Sequence, residues 1–115
     1  MNEEPQTPTD YVANWIATHQ REIGGSPIKF DRREEHSSAL NAGFETPKFL
    51  IDICAWDHAC CLDILVLNKK SGGTDYMVCG ECDGLLGLAQ RLETFLRWLN
   101  ENESDRNPSP ARNPP

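Results

Sequence analysis

Two segments of alternating hydrophobicity, separated only by Asp57 and His58, constrain the fold of this 115-residue chain more than any other feature. In residues 49–56 and 59–67, apolar side chains recur at every second position, which is typical of strands with one buried face. A connection this short joins two strands only in antiparallel order. We therefore predict a central hairpin whose inner face carries Phe49, Ile51, Ile53 and Ala55 from one strand and Cys60, Leu62, Ile64 and Val66 from the other.

An amphipathic helix is predicted on each side of the strands. The first begins at Thr7, with Pro8 in its first turn and Asp10 at the position of a capping-box acid, and it ends at Gly24-Gly25. The second begins after Asp83, a residue type that suits the N-cap. Apolar residues spaced by three and four define the buried stripes. These are Tyr11, Val12, Trp15, Ile16 and Ile23 in the first helix and Leu85, Leu88, Leu92, Phe95, Leu96 and Leu99 in the second, which leaves Arg91, Glu93 and Arg97 outside.

Further strands are predicted in residues 26–31, 37–45 and 74–80, with turns near Thr46-Pro47 and in residues 68–73. The order of elements predicts an α+β fold, in which an antiparallel meander of about four to five strands carries the N-terminal and C-terminal helices on one face. The length fits a single domain, which we place at residues 7–101. Residues 1–6 and 102–115 are expected to be disordered tails, because the second holds four prolines and few apolar side chains.

The charge balance narrows the choice of partner. Eighteen acidic and eleven basic residues give a net charge of −7, which argues against nucleic-acid binding. The acidity permits electrostatic steering toward a basic partner, and it is equally explained by solubility alone. The chain has no apolar run of the roughly 20 residues that a membrane helix needs. Its opening residues lack the basic and apolar regions of a signal peptide. We therefore expect a cytoplasmic protein with no membrane partner.

The predicted hairpin places two carboxylates together on its outer face. A turn centred on Asp57-His58 sets Asp52 opposite Asp63, and Cys54 opposite Cys61. Two carboxylates about 5 Å apart repel by roughly 1–3 kcal/mol, more than a favourable cross-strand pair contributes. Three explanations remain open: solvent-screened surface acids, binding of a basic partner, or binding of a metal ion.

The cysteines give a second, ambiguous signal. An odd number in a chain without a leader favours free thiols over a disulfide framework; they are Cys54, Cys60, Cys61, Cys79 and Cys82. The Cys79-Gly80-Glu81-Cys82 motif fits half of a zinc site, with other cysteines as the remaining ligands, or a redox pair. It also fits small apolar side chains that happen to be cysteine.

No catalytic constellation is evident in the sequence. The three histidines do not accompany a nucleophile motif, and no glycine-rich phosphate loop is present. Trp56 stands at the end of a strand on the predicted outer face, where it could anchor a partner. The predicted partner-binding residues are therefore Asp52, Trp56, Asp57 and Asp63, with Glu81 and Asp83 as a second acidic corner.

The arrangement resembles small bacterial immunity proteins of polymorphic toxin systems, in particular the TriTu type. The resemblance is carried by the segments Phe44–Phe49, Ala55–Asp57 and Cys61–Leu67, with Gly72 or Gly73 in the following turn. It implies a small cytoplasmic protein that binds and neutralises a cognate toxin domain. Since no active site is evident in the sequence, we expect this protein to be non-enzymatic and to use no cofactor or metal. A small zinc-binding interaction domain built on Cys79 and Cys82 remains the alternative, and a thiol enzyme is a third hypothesis.

Overall fold

The computed structural model describes residues 7–24, 26–33 and 39–103. Its elements are α1 (Pro8–Ile23), β1 (Ser26–Arg33), β2 (Ala39–Glu45), β3 (Phe49–Trp56), a 3-10 turn (His58–Cys60), β4 (Cys61–Asn68), β5 (Thr74–Val78) and α2 (Gly84–Glu103). Each strand pairs antiparallel with the next, so the sheet order is β1-β2-β3-β4-β5. The predicted α+β meander is confirmed. The tail expected at residues 1–6, and all of the tail expected at residues 102–115 except its first two residues, lie outside the described residues.

Helix α1 begins and ends as its sequence predicts. The Thr7 side chain accepts a hydrogen bond from the Asp10 backbone N–H at 3.2 Å, and Pro8 occupies the first turn. Gly24 adopts the left-handed conformation, with φ of 73°, and its N–H donates to the Gln20 carbonyl. Glycine reaches this conformation at little cost, which explains why the helix stops here.

The core lies between one face of the sheet and the two helices. The strand residues predicted to face inward on β3 are buried, as are Leu62, Ile64 and Val66 on β4. Opposite them, α1 buries Val12, Trp15, Ile16 and Ile23, and α2 buries Leu88, Leu92, Phe95, Leu96 and Leu99. Half-buried Tyr76 and Trp98, with ring centroids 4.9 Å apart, close the core beside β5. Both helices therefore cover the same face of the sheet.

The predicted hairpin register is wrong by two residues. Asp52 lies opposite Leu65, and Cys54, not Asp52, lies opposite Asp63. Trp56 pairs with Cys61. The reason is the turn, which spans residues 57–60 with Ala59 and Cys60 at φ of 56° and 51°. Because a shift of two preserves the alternation of faces, the inner and outer sets survive the error.

Helix α2 continues beyond the predicted domain boundary at residue 101. Its last residue, Glu103, accepts a hydrogen bond from the Thr46 hydroxyl at 2.8 Å, and the Asn102 carbonyl accepts one from Lys48 Nζ at 2.6 Å. These contacts join the end of α2 to the β2–β3 turn, so both residues belong to the folded domain and not to the tail.

Among the described residues, neither helix is long and apolar enough to cross a membrane.

Arg91 was expected on the outside of α2 but reaches the sheet. Its guanidinium Nη1 donates to the Leu62 carbonyl at 2.7 Å and to the Gly80 carbonyl at 3.1 Å. A long side chain can lie along apolar surface while its charged end finds acceptors, so helical periodicity alone did not place it. Arg91 therefore ties α2 to β4 and to the loop after β5.

We expect Arg91→Ala to lower the free energy of unfolding by about 1–3 kcal/mol, because charge-assisted hydrogen bonds to two carbonyls are lost. Arg97→Ala, at an exposed position of the same helix, should change it by less than about 0.5 kcal/mol. Urea unfolding of both variants measures the difference. Equal effects would mean that the Arg91 contacts do not stabilise the domain.

Candidate partner-binding surface

The outer face of the sheet points away from both helices. Across it, the register aligns Asp31 of β1 with Asn41 of β2, Cys54 of β3 and Asp63 of β4. Asp52 is the preceding outer-face residue of β3, two positions before Cys54. No described element packs across this face, so its side chains are only partly covered by their neighbours.

Asn41 joins Asp52 and Cys54 into one hydrogen-bonded group. Its Nδ2 donates to Asp52 Oδ1 at 2.9 Å and to Cys54 Sγ at 2.9 Å. The thiol in turn lies 3.7 Å from Asp52 Oδ2. Asp52 thus has a neutral partner in place of the opposing carboxylate that the sequence predicted.

The Cys54 thiol is held in its protonated form. Burial raises its pKa to about 11, and the negative charge of Asp52 acts in the same direction, while the Asn41 hydrogen bond opposes it. A thiol with this pKa carries almost no thiolate at neutral pH, and the thiolate is the reactive form. At neutral pH Cys54 therefore contributes to the outer face as a neutral, hydrogen-bonded thiol.

Asp63 connects the sheet to the loop that follows β5. Its Oδ1 accepts a hydrogen bond from the Gly80 backbone N–H at 3.0 Å. Gly80 has φ of 103°, a conformation that favours glycine, and this backbone turn directs its N–H toward the carboxylate. One carboxylate oxygen is satisfied within the fold, and the side chain stays half-exposed.

A groove runs along the outer face beside Trp56. We call it the Trp56 groove; its volume is about 720 Å³, and it is lined by Trp56, His58, Cys61, Asp63, Cys79 and Gly80. A smaller depression of about 190 Å³, lined in part by Asp31, Asn41 and Cys54, adjoins the other side of the indole. Trp56 is thus a half-exposed aromatic side chain between two concave regions, with a carboxylate in the wall of the larger one.

The predicted site residues divide into two groups. Trp56 and Asp63 line the groove, Asp52 lies beside them on the outer face, and Glu81 pairs with groove residue Cys61 through an isolated β-bridge. Glu81 and Asp83 are both exposed in the loop before α2, as the acidic corner predicts. Asp57 lies apart from this set.

Asp57 holds the start of α1. Its Oδ1 accepts hydrogen bonds from the Thr9 backbone N–H and the Thr9 hydroxyl, both at 2.9 Å. Thr9 is fully buried, so this carboxylate satisfies two donors that water does not reach. The structure therefore gives Asp57 a role in the fold.

Two contributors to the surface were not predicted from the sequence. Asn41 lies on a strand with weak alternation, and only its register opposite Cys54 shows its position. His58 was predicted in the turn but not as a groove residue, because the groove depends on the path of residues 79–80. For Asn41, the one signal in the sequence was the short connection between β2 and β3, Thr46 to Lys48, because a connection of this length limits how the two strands can pair.

The cysteines are all free thiols and do not gather as a metal site. In the part of the chain that the structure describes, no three or more His, Cys, Asp or Glu side chains are grouped so that they could hold a metal ion. Cys79 is exposed in the groove, whereas Cys82 packs against the core. The two cysteines of the C-x-x-C motif thus lie in different environments, one exposed to solvent and the other against the core.

Comparison with protein-family models finds no match, and comparisons with curated proteins and with solved structures find none either.

Proposed function

We propose that this protein is a non-enzymatic, cytoplasmic immunity protein that binds a basic toxin domain with the outer face of its sheet. The observation that carries the proposal is the Trp56 groove, in which a half-exposed indole and the carboxylate of Asp63 share one concave surface. Aromatic side chains in partly desolvated pockets are frequent anchors of protein interfaces. The resemblance to TriTu-type immunity proteins supplies the class of partner.

The charge of the surface supports a basic partner. Asp52 and Asp63 take their described hydrogen bonds from an amide, a thiol and a backbone N–H, all uncharged donors, so these contacts leave both negative charges unneutralised. Exposed Glu81 and Asp83 extend the acidic region beyond the groove. With a net charge of −7, the protein would attract a basic domain from a distance and speed its association.

The decisive variants change charge without changing shape. Asp52→Asn with Asp63→Asn keeps an acceptor oxygen at both sites, so we expect the free energy of unfolding to change by less than about 1 kcal/mol. Affinity for the cognate toxin domain, to be sought among the products of neighbouring genes, should fall by more than about 2 kcal/mol, roughly 30-fold. Calorimetric titration at two salt concentrations measures both the loss and its electrostatic origin.

The matched control is Glu93→Gln with Glu101→Gln, which removes the same charge from exposed positions of α2 on the other side of the domain. This control should bind the toxin domain like the unaltered protein. Trp56→Ala should weaken binding at least as much as the outer-face double variant. If affinity falls equally in both charge variants, net charge and not the outer face determines binding; if it falls in none, the interface lies elsewhere.

A further inference from the structure

The loop between β5 and α2 runs antiparallel to the start of β4. The Leu62 N–H donates to the Gly80 carbonyl, and the Cys82 N–H donates to the Cys60 carbonyl, both at 3.0 Å. These two bonds flank the isolated bridge between Cys61 and Glu81. Cys60 and Cys82 therefore form the next opposed pair, one residue along from the bridge.

The side chains of this pair share one side. Cys60 and Cys82 are both half-buried and both pack against the hydrophobic core, whereas Cys61 and Cys79 line the groove on the outer face. Cys60 lies in the 3-10 turn with φ of 51°, so its pairing with Cys82 rests on the backbone hydrogen bond between them and not on a regular strand. Disulfides span Cα separations of about 4.4–6.8 Å, a range that two residues joined directly by a backbone hydrogen bond can meet.

We propose that Cys60 and Cys82 form a reversible disulfide, which makes this dithiol a site for small disulfide oxidants such as oxidised glutathione. One cysteine thiol loses its proton, and the resulting thiolate attacks a sulfur of the oxidant. The sulfur–sulfur bond of the oxidant breaks, a mixed disulfide forms, and the departing glutathione thiolate takes up a proton. The second cysteine thiol then loses its proton and attacks the protein sulfur of the mixed disulfide, which releases the second glutathione as a thiolate that is protonated in turn. Two protein thiols are thereby oxidised, and one glutathione disulfide is reduced to two thiols.

Two other pairs, Cys61 with Cys79 and Cys79 with Cys82, are less suited to this bond. Cys61 lies opposite Glu81, so Cys79 is a diagonal neighbour, for which separations of about 7–8 Å are typical and exceed the reach of a disulfide. Cys79 and Cys82, the pair that the sequence motif suggests, differ in exposure and in the side to which they belong. The structure thus selects a pair that the motif does not.

Burial raises the pKa of both the Cys60 and the Cys82 thiol, and the proximity of Cys82 raises that of Cys60 further. Oxidation should therefore accelerate as the pH rises above neutrality. The bond would join the turn at residues 57–60 to the loop at residues 79–83. Both segments contribute to the Trp56 groove, so the oxidised protein holds that surface by a covalent link.

The test is titration of the full chain with reduced and oxidised glutathione, followed by intact-mass analysis and peptide mapping without reductant. We expect a monomer lighter by two hydrogens, a link between the Cys60 and Cys82 peptides, and a rise in Tm of at least about 5 °C. Cys60→Ser and Cys82→Ser should abolish all three changes. Cys61→Ser and Cys79→Ser should leave them intact.

A variant with Cys54, Cys61 and Cys79 all replaced by Ser retains only this pair and tests it without relying on the single variants to fold. Its equilibrium constant for oxidation by glutathione should be at least about tenfold higher in native buffer than in guanidinium chloride. Equal constants would overturn the proposal, because folding would then not bring the two thiols together. In the unaltered protein, a disulfide that maps to Cys79 and Cys82, or to Cys61 and Cys79, would also overturn the proposal.

Discussion

Leu92→Ala should lower the free energy of unfolding by about 2–5 kcal/mol, the range for truncating a buried leucine. Leu92 is fully buried in the stripe by which α2 packs on the sheet. Its removal leaves a cavity between helix and sheet that close-packed neighbours fill only in part. Urea unfolding monitored by circular dichroism measures the loss, which is large compared with the total stability of an ordinary domain.

The same helix provides a chemically matched control. Leu86 is 72% exposed, so Leu86→Ala removes the same atoms from a position that buries little apolar surface. Its effect should stay within about 0.5 kcal/mol. Comparable losses at the two leucines would show that the helix is rotated relative to the phase described above.

Asp57→Ala should cost about 2–4 kcal/mol, although the residue lies in a turn between two strands. The substitution removes the carboxylate that accepts from the Thr9 backbone N–H and hydroxyl, and losing such a hydrogen bond at a buried donor costs roughly 1–3 kcal/mol. It also removes a negative charge from the positive end of α1. Thermal unfolding should show the loss, and hydrogen exchange should show earlier opening of the first turn of α1.

Asp57→Asn separates the two contributions. The amide oxygen can still accept from Thr9, so this variant should lose only the charge–dipole part, about 0.3–1 kcal/mol. If Asp57→Ala is as mild as Asp57→Asn, the hydrogen bonds to Thr9 contribute little. If Asp57→Asn weakens toxin binding without affecting stability, the carboxylate belongs to the interface as well.

The sequence was sufficient for those parts of the fold that depend on periodicity. Alternation along β3 and β4 assigned inner and outer faces correctly, and the stripe from Leu88 to Leu99 gave the buried side of α2. Both patterns reflect burial of apolar surface, which is summed over many positions and therefore tolerates local irregularity. Trp56 and Asp63 were placed on one face for this reason.

The features of the fold that could not be predicted from the sequence depend on single residues. Ala59 and Cys60 adopt positive φ without being glycine, so no turn signature marked the longer connection that sets the register. The bond between Asp57 and Thr9 joins residues 48 positions apart, and no local pattern encodes it. The helical period places the Arg91 Cα outside the buried stripe of α2, but the long side chain reaches across to the Leu62 carbonyl.

The meander also bears on the order in which the chain folds. Each strand pairs with its neighbour in sequence, whereas α1 packs against α2 only after the two ends of the domain have met. The entropy lost in closing a loop grows with its length, so the contact between the helices is the more expensive one to form early. We therefore expect substitutions in the β3–β4 hairpin to slow folding, and substitutions on the buried side of α1 to act mainly by accelerating unfolding.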